Sequence, residues 1–187
     1  VVQRRGAGLP NAIASVLATL SPDHPEFPTL SQLVPDRDAP CAGARGHVDT
    51  ALQLLPTGEI VVSGWCSALE DALVWFETDT GTTVPLSGAN AYRFDRRDVA
   101  GSLDTPVLPH ERVGFIARLG PGPRAARISL RAVFDGSVHL LGARGLDFAN
   151  ASDARGVARH LFTIDTPIDE FAERCRAVDG PFLDVAI

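Results

Sequence analysis

One hairpin signal constrains the fold of this chain more than any other feature. Apolar and polar residues alternate along residues 124–134, and this period of two is typical of a β-strand with one face exposed to water. The strand is followed by Asp135-Gly136, a pair that strongly indicates a two-residue β-hairpin turn. We therefore predict two antiparallel strands, over residues 124–134 and 137–141.

Similar short runs occur upstream of this hairpin. They are rich in β-branched and aromatic residues, and turn signals such as Pro-Thr-Gly and Asp-Thr-Gly separate them. The runs cover residues 47–54, 59–66, 71–78, 82–86 and 112–119. Six or seven short strands at this spacing predict a mainly β fold, and we expect an antiparallel immunoglobulin-like β-sandwich over residues 46–148.

The two ends of the chain differ in pattern from the central strands. Residues 1–45 contain an apolar run over residues 12–20 that predicts a short helix, followed by a proline-rich stretch that we expect to form an extended strap. Residues 149–187 predict a helical extension, whose clearest start is Thr166 followed by Pro167. The expected organisation is one β-sandwich domain with helical N- and C-terminal extensions.

The composition excludes several classes of function. The 17 lysine and arginine positions are all arginines, so no lysine is present for a Schiff base, a P-loop or a kinase site. The net charge of -6 disfavours a nucleic-acid partner, and no apolar run reaches the roughly 20 residues of a membrane span. The cysteines lack CxxC spacing, which indicates reduced thiols in a cytoplasmic protein. We expect no cofactor and no metal.

Two patterns resemble catalytic motifs. Asp79-Thr80-Gly81 has the sequence of the aspartic-protease triplet, but that chemistry needs a second carboxylate to share a proton, and Asp and Gly are also ordinary turn residues. Ser137 and His139 share one face of a predicted strand, yet no acid is placed beside them and no GxSxG nucleophile elbow is present. A structural turn is the favoured interpretation of Asp79, and a small hydrolase or aspartic-type protease is the alternative.

Aromatic residues are the candidates for binding a neutral ligand. Trp75 and Tyr92 are candidates for a glycan platform, because the apolar faces of sugars stack on exposed aromatic rings. Core packing is the competing and favoured interpretation, since Trp75 lies in one of the most apolar predicted strands.

A pair of arginines is a candidate for binding an anion. Arg96 and Arg97 can hold a phosphate or carboxylate through a guanidinium fork. The competing and favoured interpretation is that one of them forms an ion pair with Asp95 or Asp98 and so fixes a long loop.

A second group of arginines lies on one predicted strand. Arg127 and Arg131 are four positions apart on this predicted strand, and an even spacing puts their side chains on the same face. Together with Arg124 they predict one exposed cationic stripe. This stripe would meet either an acidic glycan or the carboxylates of the chain itself.

Short motifs between residues 46 and 142 add a family resemblance. The residues that carry it are Gly58, Gly64-Trp65, Leu73-Val74, Arg96-Arg97-Asp98-Val99 and Gly114-Phe115. This half of the chain resembles a bacterial accessory domain associated with glycosyltransferases and other cell-surface polysaccharide proteins. The resemblance implies a β-sandwich attached to an enzyme outside this sequence, and it implies no catalytic residues. Typical members have Asp or Pro soon after Gly-Trp, whereas this chain has Cys66-Ser67-Ala68-Leu69.

The shared residues suit structural roles. Gly64 allows a neighbouring strand to approach closely, and Asp98 can accept backbone donors in its loop. Gly114 can permit a bulge that directs Phe115 into the core.

These observations lead to one functional expectation and two alternatives. We expect a non-catalytic accessory module of a larger bacterial glycan-processing protein, with other domains of a longer chain as partners. Its role would be positioning or protein–protein association, with weak glycan binding in addition. The alternatives are the hydrolase or protease centred on Asp79, and a structural dimerisation module that uses the apolar face of a helix predicted over residues 167–178.

Overall fold

The computed structural model describes residues 8–22, 24–34, 40–69, 72–100, 112–153 and 157. Within these residues, nine strands form two sheets, and three short helices accompany them. The strands β1 to β9 are Ala44–Leu55, Glu59–Ala68, Leu73–Thr78, Thr83–Pro85, Ala91–Phe94, Gly114–Pro121, Arg127–Phe134, Ser137–Gly145 and Asp147–Asn150. The helices α1 to α3 are Gly8–Leu17, Phe27–Gln32 and Arg97–Ala100. The predicted mainly β fold is confirmed.

The strands form a sandwich of two layers. Sheet A has five strands in the order β5-β6-β2-β1-β9, and sheet B has four in the order β4-β3-β7-β8. All neighbouring strands pair antiparallel except β1 and β9, which run parallel. The prediction of a purely antiparallel sandwich is wrong for this pair. After β8 the chain crosses at Leu146 to the other sheet, where β9 continues beside β1.

Two turns fix the register of the long strands. Asp135 and Gly136 have φ values of 48° and 65° between β7 and β8, as the predicted two-residue hairpin requires. Gly58, between β1 and β2, has a φ of 75°, and an added Cβ there would lie 2.6 Å from the carbonyl oxygen of Gly122. Glycine is therefore needed at this turn both for its backbone conformation and for the close approach of the next loop.

The main core lies between the two sheets. It contains the inward-facing aliphatic residues of both layers, among them Val48, Val62 and Leu130. Phe76 of sheet B meets Phe115 of sheet A edge-on, with ring centroids 5.5 Å apart. Because strand side chains alternate between faces, the predicted period-two pattern produces this filled interior.

The outer face of sheet B is covered by the N-terminal helices. Phe27 of α2 packs edge-on against Trp75 of β3 at 5.1 Å between centroids, within an apolar cluster that includes residues of α1. The predicted helix over residues 12–20 is observed over Gly8–Leu17 instead. The predicted extended strap contains α2, since Pro28 lies in the first helical turn, where a missing backbone N–H costs nothing.

The outer face of sheet A is also apolar. Leu52, Leu54 and Ile116 are buried there, together with Val157 beyond the last strand. The predicted C-terminal helices otherwise lie outside the described residues. No helix in the described part of the chain is long and apolar enough to cross a membrane.

Candidate functional site

Arg96, which lies between β5 of sheet A and α3, donates hydrogen bonds to two carboxylates. Nε of Arg96 donates to the two oxygens of Asp98 at 2.9 and 3.2 Å, and Nη2 donates to one of them at 2.8 Å. Nη1 donates to Oδ2 of Asp49 at 2.6 Å. We call Arg96, Asp49 and Asp98 the Arg96 cluster. The Arg96 side chain is only 18% exposed, and each of its three nitrogens donates to a carboxylate.

The Arg96 cluster links two irregular points of the backbone. The register of β1 against β2 shifts between Val48 and Thr50, so Asp49 is the residue at the bulge. Asp98 lies in the first turn of α3. Arg96 therefore ties a short helix to the bulge of a central strand.

Ion pairing changes the protonation equilibria of this cluster. The Arg96 guanidinium hydrogen-bonds the Asp98 carboxylate and holds the pKa of that carboxyl below its ordinary value, with backbone N–H groups of Asp98 and Val99 adding to the effect. The same carboxylate raises the pKa of Arg96, although burial opposes the shift. Both groups are therefore charged at neutral pH.

The predicted ion pair between Arg96 and Asp98 is confirmed, as is the predicted role of Asp98 in accepting backbone donors. The guanidinium fork of Arg96 formed by Nε and Nη2 is occupied by Asp98, and Nη1 by Asp49, so the chain's own carboxylates take the place of an external anion there. Arg97 begins α3, and its side chain lies outside the described residues.

Two glycines of the family resemblance, Gly64 and Gly114, lie close to the Arg96 cluster and are tightly surrounded by neighbouring atoms. A Cβ at Gly64 would lie 2.1 Å from the carbonyl oxygen of His47 and 2.9 Å from the Phe115 ring. A Cβ at Gly114 would lie 2.6 Å from the Phe94 ring and 2.8 Å from Cγ of Arg96. Both positions thus require glycine for close packing.

The bulge predicted at Gly114 is not observed there. Gly114 pairs in register with Trp65, and the irregularity between β2 and β6 lies at the other end of the pair, between Glu59 and Ile60. Phe115 reaches the core by the ordinary alternation of a regular strand.

A second polar cluster lies beneath helix α2. One carboxylate oxygen of Glu77 accepts from Nη1 of Arg131 at 2.9 Å, from Nε1 of Trp75 at 3.3 Å and from Oγ of Ser31 at 3.2 Å. We call these four residues the Glu77 cluster. The side chains of Arg131 and Glu77 are 11% and 12% exposed. The hydrogen bond from Ser31 fastens α2 to a nearly buried ion pair that joins β3 and β7 of sheet B.

The aromatic platform predicted from Trp75 and Tyr92 does not form. Trp75 lies on sheet B with no exposed surface, because Phe27 and the rest of α2 cover it. Tyr92 lies on β5 of sheet A, where its ring stacks on Phe94 with centroids 6.3 Å apart. The two rings therefore belong to different sheets, and Trp75 offers no face to a ligand.

Asp79 occupies a turn rather than a catalytic cleft. Its carboxylate accepts the backbone N–H of Ala126 at 3.1 and 3.2 Å, and its own N–H donates to the carbonyl of Arg127 at 3.1 Å. The side chain is exposed, and Gly81 has a φ of 85°. These contacts fit the turn interpretation and leave the carboxylate with a structural partner.

The other catalytic candidates do not form a recognisable site. His139 is buried with 5% exposure, two positions from the half-buried Ser137. No group of three or more His, Cys, Asp or Glu side chains in the described ranges could hold a metal ion.

A third group of polar residues lies at the corner where β7 begins and β8 ends. Arg127 pairs with Gly145, and Arg144 pairs with the buried Ile128, so Arg127 and Arg144 lie on opposite faces of the hairpin. The guanidinium carbon of Arg124 lies 4.3 Å from the centroid of the Phe148 ring, which is 37% exposed. We call Arg124, Arg127, Arg144 and Phe148 the Arg127 surface.

The three arginines of this surface are exposed. None of the ion pairs formed between described residues involves them. The predicted stripe through Arg127 and Arg131 is wrong for Arg131, because Glu77 holds that guanidinium beneath α2. Arg144 and Phe148 were missed because β8 extends four residues past its predicted end at Leu141. The apolar residues Leu146 and Phe148 on either side of Asp147 were the available signal for β9.

No family model matches this chain, and no curated protein matches its sequence.

Proposed function

We propose that this chain is a non-catalytic accessory module of a larger bacterial glycan-processing protein. Its role is positioning or association with another protein, with weak glycan binding in addition, and its proposed location is the cytoplasm. Other domains of a longer chain are the proposed partners.

One observation carries this proposal. Three of the five motifs of the family resemblance meet at one end of sheet A, where Gly64 and Gly114 admit neighbouring groups and Phe115 fills the core. Beside Gly114, Arg96 pairs with Asp98. Gly58 lies at the other end of that sheet, and Leu73-Val74 lie on sheet B. These residues have packing or ion-pairing roles, which is what a scaffold domain requires and what a catalytic site does not.

The order of the strands supports an immunoglobulin-like type for the sandwich. If β1 to β8 are lettered A, B, C, C′, D, E, F and G, sheet A reads D-E-B-A and sheet B reads C′-C-F-G. These are the neighbours of an immunoglobulin-like domain, to which β9 adds a parallel strand. We propose this type, with the short helices α1 and α2 belonging to a helical N-terminal extension.

The hydrolase alternative has no support from the contacts of Asp79, whose carboxylate is used by the backbone of Ala126. The dimerisation alternative depends on the helix predicted over residues 167–178, which lies outside the described residues.

The test compares this chain with the longer natural protein that contains it. We expect the chain alone to show no hydrolysis of nucleotide-sugar donors, glycans or casein, and the longer protein to transfer sugar to a glycan acceptor. Deleting residues 40–153 from the longer protein should lower the rate at low acceptor concentration and leave donor hydrolysis intact. A hydrolytic activity of the chain alone that Asp79→Asn abolishes would contradict the proposal.

A further inference from the structure

We propose that Trp65 and the polar side chains beside it bind a neutral pyranose oligosaccharide on the outer face of sheet A. This inference rests on the proposed function, since it assigns the proposed weak glycan binding to named residues. We call Trp65, His47 and Asp49 the Trp65 site. The site lies on the opposite layer of the sandwich from the buried Trp75.

The strand register places Trp65 and His47 on the same face of sheet A. Trp65 of β2 is directly opposite His47 of β1, and the Cβ atoms of directly paired residues lie about 5 Å apart on one side of the sheet. The preceding residue, Gly64, faces the core, since an added Cβ there would meet the Phe115 ring. Because successive strand residues alternate between faces, Trp65 and His47 lie on the outer face.

Part of the Trp65 side chain is accessible from this face. Trp65 is half-buried, and His47 beside it is exposed. On its other side Trp65 pairs with Gly114, which has no side chain, and the Phe94 ring fills the space above this glycine, 2.6 Å from an added Cβ. Trp65 is thus held between an exposed imidazole and a buried ring, with part of its surface in contact with solvent.

The polar groups of the Trp65 site have hydrogen-bonding capacity that the described part of the chain does not use. The indole N–H of Trp75 donates to Glu77, whereas the indole N–H of Trp65 and the imidazole of His47 have no hydrogen-bond partner among the described residues. Asp49 uses Oδ2 to accept from Arg96, and its Oδ1 has no donor in the same ranges. A sugar hydroxyl both donates and accepts, so hydroxyls suit all three groups.

The ion pair of Arg96 with Asp49 gives the site a rigid side. Strands β6 and β2 lie between β5 and β1, so this pair crosses the outer face of the sheet. The stem of Arg96 lies above Gly114, with Cγ 2.8 Å from an added Cβ, in the same row as Trp65. Asp98 holds the same guanidinium, which fixes the position of the Asp49 carboxylate. Groups that are already ordered lose little freedom when a ligand binds.

This set of groups fits a neutral sugar better than an anion. An aromatic ring binds the apolar C–H face of a pyranose, while carboxylate and imidazole groups bind its hydroxyls. The guanidinium of Arg96 is already neutralised by Asp49 and Asp98, so it adds no attraction for an anionic ligand. Oligomers of β-linked glucose fit best, because their equatorial hydroxyls leave both faces of every ring apolar.

Titration of the full chain with cellopentaose, followed by nitrogen–proton correlation NMR, tests the proposal. The chain has two tryptophans and therefore two indole N–H signals. The Trp75 signal is an internal control, because this side chain is buried and hydrogen-bonded to Glu77. We expect cellopentaose to shift the Trp65 signal, with saturation in the millimolar range, and to leave the Trp75 signal in place.

Substitutions of the site residues give the second part of the test, with affinity followed by the backbone amide signals of β1. Trp65→Ala should weaken cellopentaose binding by about tenfold, because it removes the aromatic face. His47→Ala should weaken it by about threefold, because it removes one hydrogen-bonding group. Since His47 is exposed, this variant keeps the test valid even if Trp65→Ala does not fold.

The matched control is His24→Ala. This substitution also removes an exposed histidine, but from the segment between α1 and α2 that lies over sheet B. We expect it to leave the affinity for cellopentaose unchanged.

Any one of four results would overturn this inference. They are the absence of a cellopentaose-dependent shift of the Trp65 signal, equal shifts of both indole signals, equal losses of affinity in His47→Ala and His24→Ala, and tighter binding of oligogalacturonate than of cellopentaose. None of them bears on whether the longer protein needs the module for transfer, so failure here is distinguishable from failure of the proposed function.

Discussion

The Arg96 cluster and the Arg127 surface place the same side chain in opposite situations on one sandwich. Arg96 is 18% exposed and donates to two carboxylates. Arg127 is exposed and forms no ion pair with a described residue. The difference lies in the backbone around each arginine rather than in the arginine itself.

At the Arg96 cluster, two irregular elements bring carboxylates to the guanidinium. Asp49 stands at a bulge and Asp98 at the start of a short helix. At the Arg127 surface, regular hairpin pairing continues to the last residues of β8, and the nearby Asp79 is used by a backbone N–H. The comparison teaches that irregular backbone elements supply the partners that make an arginine structural, whereas regular pairing leaves the guanidinium of Arg127 exposed.

Arg131 and Arg127 lie on the same strand, so their variants give the strictest comparison of a paired with an exposed arginine. Arg131→Ala should lower the free energy of unfolding by about 3–5 kcal/mol, since it leaves Glu77 buried without its cation. Arg127→Ala should change the same quantity by less than about 0.5 kcal/mol. Urea unfolding of the two variants measures both values, and similar losses would break the comparison.

Loss of the close packing at Gly114 should give the next largest decrease in the free energy of unfolding. Gly114→Ala would press a methyl group against the Phe94 ring and the Arg96 stem, and we expect a cost of about 1–3 kcal/mol. Gly120→Ala, on the same strand with no atom within 4 Å of the added Cβ, should cost less than about 0.5 kcal/mol. Thermal unfolding of the pair is the measurement. Equal stability of the two variants would show that the surroundings of Gly114 are not tightly packed.

Protonation of Asp98 at low pH should give the smallest of these effects on stability. The pKa of Asp98 is lowered in the folded state from its ordinary value of 3.8, so the ion pair stabilises the fold fully above this pH. This stability is lost as the pH falls through 3.8 towards the lower folded pKa. Because Asp98 is 65% exposed, the loss should stay below about 1 kcal/mol. Urea midpoints between about pH 5 and pH 2.5 should fall less in Asp98→Asn than in the wild-type protein; an identical fall would contradict the assignment.

The sequence predicts the sandwich well because its strands are local patterns. Alternation over residues 124–134 and the Asp135-Gly136 turn correspond to the observed β7–β8 hairpin. Strand β5 and helix α3 escaped prediction, since each has only four residues, too few for a period alone to identify them. The three-residue β4 was predicted because the Asp79-Thr80-Gly81 turn precedes it. The parallel pairing of β9 with β1 depends on a crossing between sheets that no local pattern specifies.

The candidate sites were less predictable because pairing between distant residues decides exposure. Arg96 and Asp98 are neighbours in sequence, so their ion pair was foreseen, but Asp49 joins them from another strand. Arg131 shares a strand with Arg127, yet Glu77 and helix α2 determine that it is buried. The burial of Trp75 was expected from its apolar strand, but its contact with Phe27 of α2 was not.

The most direct test measures the free energy of unfolding side by side in Arg96→Gln and Arg127→Gln. We predict that Arg96→Gln lowers this free energy by about 2 kcal/mol, because it removes a charge-assisted hydrogen-bond network. Arg127→Gln should keep wild-type stability to within about 0.5 kcal/mol. Equal losses in the two variants, or a larger loss in Arg127→Gln, would contradict the division between an arginine that builds the fold and one that does not.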